Sequence, residues 1–265
     1  MKETIILQSN NGGSQVVLEK GELISFKKEG VEYIHQKGDK GWNNSDTEMF
    51  PIIGPTIKNK HIVSTKKGNA ILDQHGLLRE FDYVLASHTT HTAEFSKRYI
   101  KHTPLKNRKF PKKSLAEHVF WPYDFHFKKK INLSNETLSI TFEIHSEKNM
   151  PYMLGYHPAF KLSGLGNETL STSSKKINLD AIFSVGADAL PLLNTSQITL
   201  HNSNKKDIQI ETKGFDHFML WTEENNMLCI EPITHFPDLS TQKYSEDTML
   251  LNPGQAAYSV EIKIT

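Results

Sequence analysis

The sequence predicts an all-β fold, a large antiparallel β-sandwich with few short helices. Three observations lead there. Short apolar runs recur along the chain with turn residues between them. The clearest run, Leu138, Ile140, Phe142 and Ile144, alternates with polar residues, as a strand with one buried and one wet face does. No stretch keeps a helical period for more than a turn or two. Within 265 residues there is no internal repeat and no linker, so one domain over 1–265 is expected.

Composition narrows the function classes. Hydrophobic residues make up 37%, enough for a core. Lys+Arg 31 against Asp+Glu 30 leaves a formal net charge of +1, so bulk charge argues for neither nucleic acid nor a membrane surface. Cys229 is the one cysteine, which excludes an intrachain disulfide. The N-terminal stretch MKETIILQSNNGG holds an apolar run, Ile5–Leu7, far shorter than a signal-peptide core, and no stretch has membrane-spanning length. A soluble, cytoplasmic protein is the expectation, as a monomer or homodimer.

The elements follow in order. Thr4–Leu7, Val16–Leu18, Leu23–Phe26 and Val31–Ile34 read as strands, with turns at SNNGG and Glu29-Gly30. FPIIGP, Phe50–Pro55, reads as a rigid hydrophobic loop, either a structural corner or the wall of a site. Asp73–Tyr83 (DQHGLLREFDY) is a compact polar and aromatic segment of the kind that carries binding groups, with His75 and Arg79 as candidates. Lys97–Lys113 is basic throughout. It reads first as a solvated loop or extended hairpin and second as a phosphate contact; only Tyr99 and Phe110 interleave, too few aromatics for a nucleic-acid surface. Gly164–Lys176 reads as a loop, and Ala181–Leu193 shows no clear alternation. Ile198–Leu200 and Ile208–Ile210 are short strands, Phe215–Trp221 and Met227–Ile230 form a hairpin, and Tyr258–Ile264 closes the fold.

Two segments carry the chemistry. In MPYMLGYHPAF, Met150–Phe160, Pro158 cannot donate to a ladder and keeps His157 extended, so the imidazole stands where a strand leaves its sheet. Gly155 is expected to keep the nearby surface open for a ligand. A histidine there is a candidate proton donor near neutral pH. Taken alone, it reads first as a histidine that hydrogen-bonds inside a sandwich; the case for chemistry comes from the rest of the chain. In CIEPITHFPD, Cys229–Asp238, Glu231 lies between an apolar strand and Pro232; desolvation there raises a carboxyl pKa and makes a better base. Asp216 and Glu231 start and end the hairpin and are expected to point toward one place. Asp216 and His75 add hydroxyl-binding capacity, and Trp42, Tyr156 and Trp221 are candidates to stack on a sugar. There is no phosphate-binding glycine loop, no GxSxG, and no second histidine at metal-ligand spacing beside His75.

GYHPAF (155–160), GFDHF (214–218), QHGLLR (74–79) and EPITHFPD (231–238), in that combination, resemble the aldose 1-epimerase (galactose mutarotase) family. FPIIGP, HGLLREFDY and WPYDFHF bring the chain nearer the shorter bacterial branch of hexose-6-phosphate mutarotase-like and lactose-operon proteins. The resemblance implies a supersandwich of antiparallel strands with an open sugar cleft and no cofactor or metal. It implies interconversion of α and β anomers of a free or 6-phosphorylated hexose, with His157 as acid on the ring oxygen and Glu231 as base on the C1 hydroxyl. His75, Arg79 and Asp216 would bind the sugar. One departure stands out: the family usually has an arginine soon after the glycine of FPIIGP, and here Pro55 follows Gly54, with Lys58 the nearest cation. Either Arg79 compensates or the substrate differs. The alternative is a carbohydrate-binding β-sandwich without catalysis; a cupin-like metal protein fits poorly, because the 13 histidines are scattered.

Overall fold

Alternation builds the larger of two facing layers. The computed structural model describes residues 4–265; Met1–Glu3, the start of the N-terminal stretch, lie outside the described residues. Nine antiparallel strands form one sheet, with Gln255–Ile264, Thr137–Ser146 and Phe125–Leu133 side by side at its middle. Leu138, Ile140, Phe142 and Ile144 all point inward and are buried, as their spacing predicts. Each such side chain contributes on the order of 1.5–3 kcal/mol of burial free energy. Phe127 and Phe142 meet the second layer directly: Phe127 touches Phe50, and Phe142 touches Tyr156 and Phe215, at ring separations of 5.2–6.3 Å.

The second layer is a six-stranded sheet around Met227–Ile233, which is buried at every position. A strand covered on both faces reads as a continuous apolar run, and MLCI is one. That run, with Ile233 beyond it, carries the strand past Pro232. His217–Trp221 pairs on one side of it, as the hairpin reading predicts, and Gly155–Tyr156 and Ala159–Lys161 on the other. An N-terminal sheet of Thr4–Gln8, Ser14–Glu19, Glu22–Lys28 and Val31–Glu32 matches the four early strands; Glu29 and Gly30 take positive φ to turn between the last two.

Three segments differ from their reading. The Gly/Ser/Thr-rich loop contains a strand, Thr169–Ser171, anchored by buried Leu170 and paired with Gln197–His201. Ala181–Leu193 overlaps the one α-helix among the described residues, Leu179–Phe183, whose N-terminus is capped by the Asn178 side chain. The basic run does not begin as a solvated loop. Lys97 points inward from Thr92–Tyr99, donates to the Leu78 carbonyl at 2.6 Å and lies over the Tyr83 ring. Among the described residues no helix is long and apolar enough to cross a membrane.

Between the layers lies a charge cluster. Lys129, fully buried, sits 2.6 Å from Asp46 Oδ2 and 2.8 Å from Glu48 Oε1, and the Tyr156 hydroxyl donates to Asp46 at 2.9 Å. Burial pushes Asp46 up to about 6 despite the neighbouring ammonium. Removing one member of such a cluster leaves a buried charge without compensation, at about 3–5 kcal/mol. Lys129→Met should therefore lower unfolding stability by about that amount in urea titrations followed by tryptophan fluorescence. A loss below about 1 kcal/mol would show that the cluster contributes no net stability.

Candidate active site

One antiparallel register fixes the centre of the site. Gly155 pairs with Ile233 and Ala159 with Cys229. Midway between these pairings, His157 falls opposite Glu231, at the point where Pro158 interrupts the ladder. The two side chains meet there: His157 Nε2 lies 3.4 Å from Glu231 Oε1, and both are buried. Thr47 holds the other edge of the histidine backbone, exchanging N–H···O bonds with it at 2.8 and 3.2 Å. Gly155 differs from its reading. A Cβ there would lie 2.4 Å from Met49 Cε and 3.1 Å from Ile233 Cγ2, so the glycine permits close packing between strands rather than approach of a ligand.

On the hairpin partner, Met219 faces Glu231 and Trp221 faces Cys229. Trp42 stacks on the His157 ring at 4.4 Å, while Trp221 approaches it edge-on at 6.0 Å. Tyr156 faces the other way, into the core against Lys129.

The loops Phe50–Pro55 and Asp73–Arg79 interlock to bring up a second histidine. The amides of Leu77 and Leu78 donate to the Phe50 carbonyl, and Gly76, at φ +72°, lies so close that a Cβ would sit 2.1 Å from that oxygen. His75, also at positive φ, donates from Nδ1 to the Ile53 carbonyl at 2.5 Å. A carbonyl can only accept, so the proton is on Nδ1 and Nε2 of the neutral ring is left as an acceptor. The His75 and His157 rings are 5.6 Å apart, edge to face. The corner reading and the wall reading of FPIIGP both apply, since Ile53, Gly54 and Pro55 line the cavity.

That cavity, about 330 Å³, is lined by His157, Glu231, His75, Arg79, Trp42 and Trp221, and also by Pro237 of the THFPD segment and Leu239 just beyond it. It lies within the range of small-molecule sites, about 300–1,000 Å³. Arg79 is fixed by a bond to the Gln74 carbonyl at 2.7 Å. Lys58 instead donates to the Leu239 and Ser240 carbonyls. Lys109 and Lys113 of the basic run do reach the cavity, and Lys109 is tied to Gln74 Oε1 at 2.9 Å. Asp216 does not line it. It is exposed, ahead of the His217–Trp221 strand, three residues from Met219 and so about 10 Å along from the rung that faces Glu231. The expectation that Asp216 and Glu231 converge fails because Glu231 pairs mid-hairpin. Glu223 and Asp188 line the cavity instead, from turns that carried no sequence signal.

Burial dominates the electrostatics. It holds His157 far below the usual histidine range, at about 3, with Arg79 adding a smaller repulsion. It pushes Glu231 well above the carboxylate range, and it lowers His75 as well, again with Arg79 second. Desolvation thus disfavours the charged form of both groups. The two groups face each other across 3.4 Å.

The chain belongs to the aldose 1-epimerase family, whose sequence profile matches residues 3–232. Protein LacX (chromosomal) of Lactococcus lactis subsp. lactis is 23% identical over 88% of this chain and 94% of its own length. Two solved structures share the fold: a galactose mutarotase-like protein from Lactobacillus casei ATCC 334 (TM-score 0.80, 17% identity, 99% and 100% of the two chains) and a galactose mutarotase related enzyme from Lactobacillus acidophilus (0.76, 20%, 99% and 97%).

The depressed His157 value has a direct readout. By NMR its ring should stay neutral from about pH 8 to about pH 5, through the ordinary histidine midpoint of about 6.5. Since the unfolded chain takes up that proton near 6.5 and the folded chain does not, the histidine destabilises the fold as pH drops below about 6.5. Titration of His157 at an ordinary value would refute the desolvated site.

Proposed function

We propose that this chain is an aldose 1-epimerase that opens and recloses an aldohexose ring. The observation that carries this reading is the buried rung of His157 and Glu231 on the wall of a sugar-sized cavity. In the reactive arrangement His157 carries the proton and Glu231 is ionised. The imidazolium gives it to the ring oxygen while the Glu231 carboxylate takes the proton of the C1 hydroxyl. The C1–ring oxygen bond breaks, C1 becomes an aldehyde, and rotation about C1–C2 presents its other face. Closure reverses both transfers and returns the proton to the pair. Carbon oxidation states are the same before and after, and no atom is lost.

The other groups fit substrate binding. His75 Nε2 offers an acceptor to a hydroxyl, and Trp42 and Trp221 offer apolar walls to a ring face. Arg79 lies in the cavity that Pro55 also lines, which supports its taking over from the family's missing arginine. Burial, and next the charge of Arg79, lower Lys109 to about 8. Arg79, Lys109 and Lys113 among the residues lining the cavity favour a phosphorylated hexose over a free one.

Exchange NMR between anomers, with the buffer rate subtracted, tests the reaction. Glu231→Gln and His157→Asn should each lower the enzymatic rate by about 10²–10⁴-fold. Sugar binding without accelerated exchange in the wild type would make the protein a carbohydrate-binding module instead. The phosphate preference has its own check. Replacing both Lys109 and Lys113 by Ala should raise KM for glucose 6-phosphate by roughly tenfold or more and leave KM for glucose within about twofold. Equal effects on the two sugars would remove the preference.

A further inference from the structure

The rung between His157 and Glu231 has a third member. Cys229 stands two residues before Glu231 on the same face of its strand, and its Sγ, a His157 nitrogen and a Glu231 oxygen all lie within 4.8 Å of one another. All three side chains are buried, yet His157 and Glu231 also line the cavity, so the trio has one open side. One nitrogen, one sulfur and one oxygen donor with a free fourth position is the arrangement of a tetrahedral zinc site with three protein ligands. With bonds of about 2.0–2.3 Å, neighbouring donors of such a site lie about 3.3–3.7 Å apart. The His157–Glu231 separation of 3.4 Å already spans one such edge. The Cys229 sulfur lies no more than 4.8 Å from either of the other two donors.

We propose that His157, Cys229 and Glu231 bind a thiophilic divalent cation, Zn²⁺ being the best match, and that the bound ion blocks the acid–base pair. The charges suit the place. A thiolate and a carboxylate together cancel the two positive charges, so the loaded site is neutral where an isolated ion would be costly. On binding, the Cys229 thiol proton, and any proton on Glu231, leave for solvent. The ion takes the Nε2 lone pair and a carboxylate oxygen, so neither group can then exchange a proton with a sugar. Nothing is oxidised or reduced. The positions 157, 229 and 231 follow no metal-ligand spacing in sequence; only the strand register brings them together.

The inhibitory half of this proposal rests on the proposed epimerase reading; the binding half does not, and the test separates them. Metal-free protein is titrated with Co²⁺ and, by equilibrium dialysis, with Zn²⁺; anomer exchange is then measured with and without Zn²⁺. The wild type should bind one ion per chain, show a thiolate-to-cobalt charge-transfer band, and lose exchange activity with Zn²⁺ in a way that EDTA restores. Cys229→Ser, or Cys229→Ala should the serine variant fold poorly, should lose the band and bind Zn²⁺ about tenfold or more weakly. Each variant's metal-free rate is the reference, and the Zn²⁺ needed for half-inhibition should rise in step with the loss of affinity. A wild type that binds neither ion, a cysteine variant that binds as the wild type does, or Zn²⁺ that binds without inhibiting an active enzyme would each overturn the proposal. A cobalt band in a protein with no exchange activity would instead leave the site standing and remove the epimerase reading.

Discussion

The site depends on one rung of an antiparallel ladder. Gly155–Ile233 and Ala159–Cys229 set the register, and the register alone places an imidazole against a carboxyl far away along the chain. A slip of one residue would turn Glu231 to the opposite face of its strand. The rung is held from behind by Asp46-Thr47-Glu48. Thr47 bonds the His157 backbone, while the side chains on either side of it, Asp46 and Glu48, reach Lys129 in the core. The buried ammonium thus clamps both flanks of the segment that positions the histidine, and Tyr156, the residue before His157, is tied to the same cluster through Asp46. Core packing and site geometry are one structure here.

The same burial that fixes the pair sets its protonation. Two isolated charges in this place would be expensive, and burial accordingly lowers the imidazole pKa and raises that of the carboxyl. In the proposed reaction a bound sugar would shift that balance by bringing hydroxyls that can donate to the carboxylate and accept from the imidazolium. Trp42 and Trp221 pack against the His157 ring, and the positive-φ turn at His75 and Gly76 sets a second imidazole at the edge of the same space.

Much of the architecture was legible in the sequence because its signals are local. Alternation at Leu138–Ile144, turn residues at Glu29-Gly30 and the apolar run before Glu231 each act within a few residues, and His157-Pro158 announces a strand exit. What was not legible depends on pairing between distant segments. KKKINL gives no sign that its second lysine, Lys129, faces inward to meet two acids. The basic run looked solvated, yet Lys97 is buried under a backbone carbonyl and Lys109 and Lys113 reach the cavity. Asp216 looked like a partner of Glu231 because hairpin ends were judged from composition, whereas the true register pairs Met219 with Glu231. Nor does the sequence say what surrounds Cys229, because His157 comes to it from another strand.

The central claim is that His157 and Glu231 grip the anomeric centre of an aldose from its two oxygens. A crystal structure with a bound hexose tests it most directly. The account predicts the ring oxygen within about 3.2 Å of His157 Nε2 and the C1 hydroxyl within about 3.2 Å of a Glu231 oxygen. A sugar seated elsewhere, or one that turns its C3 and C4 hydroxyls toward the pair, would contradict it.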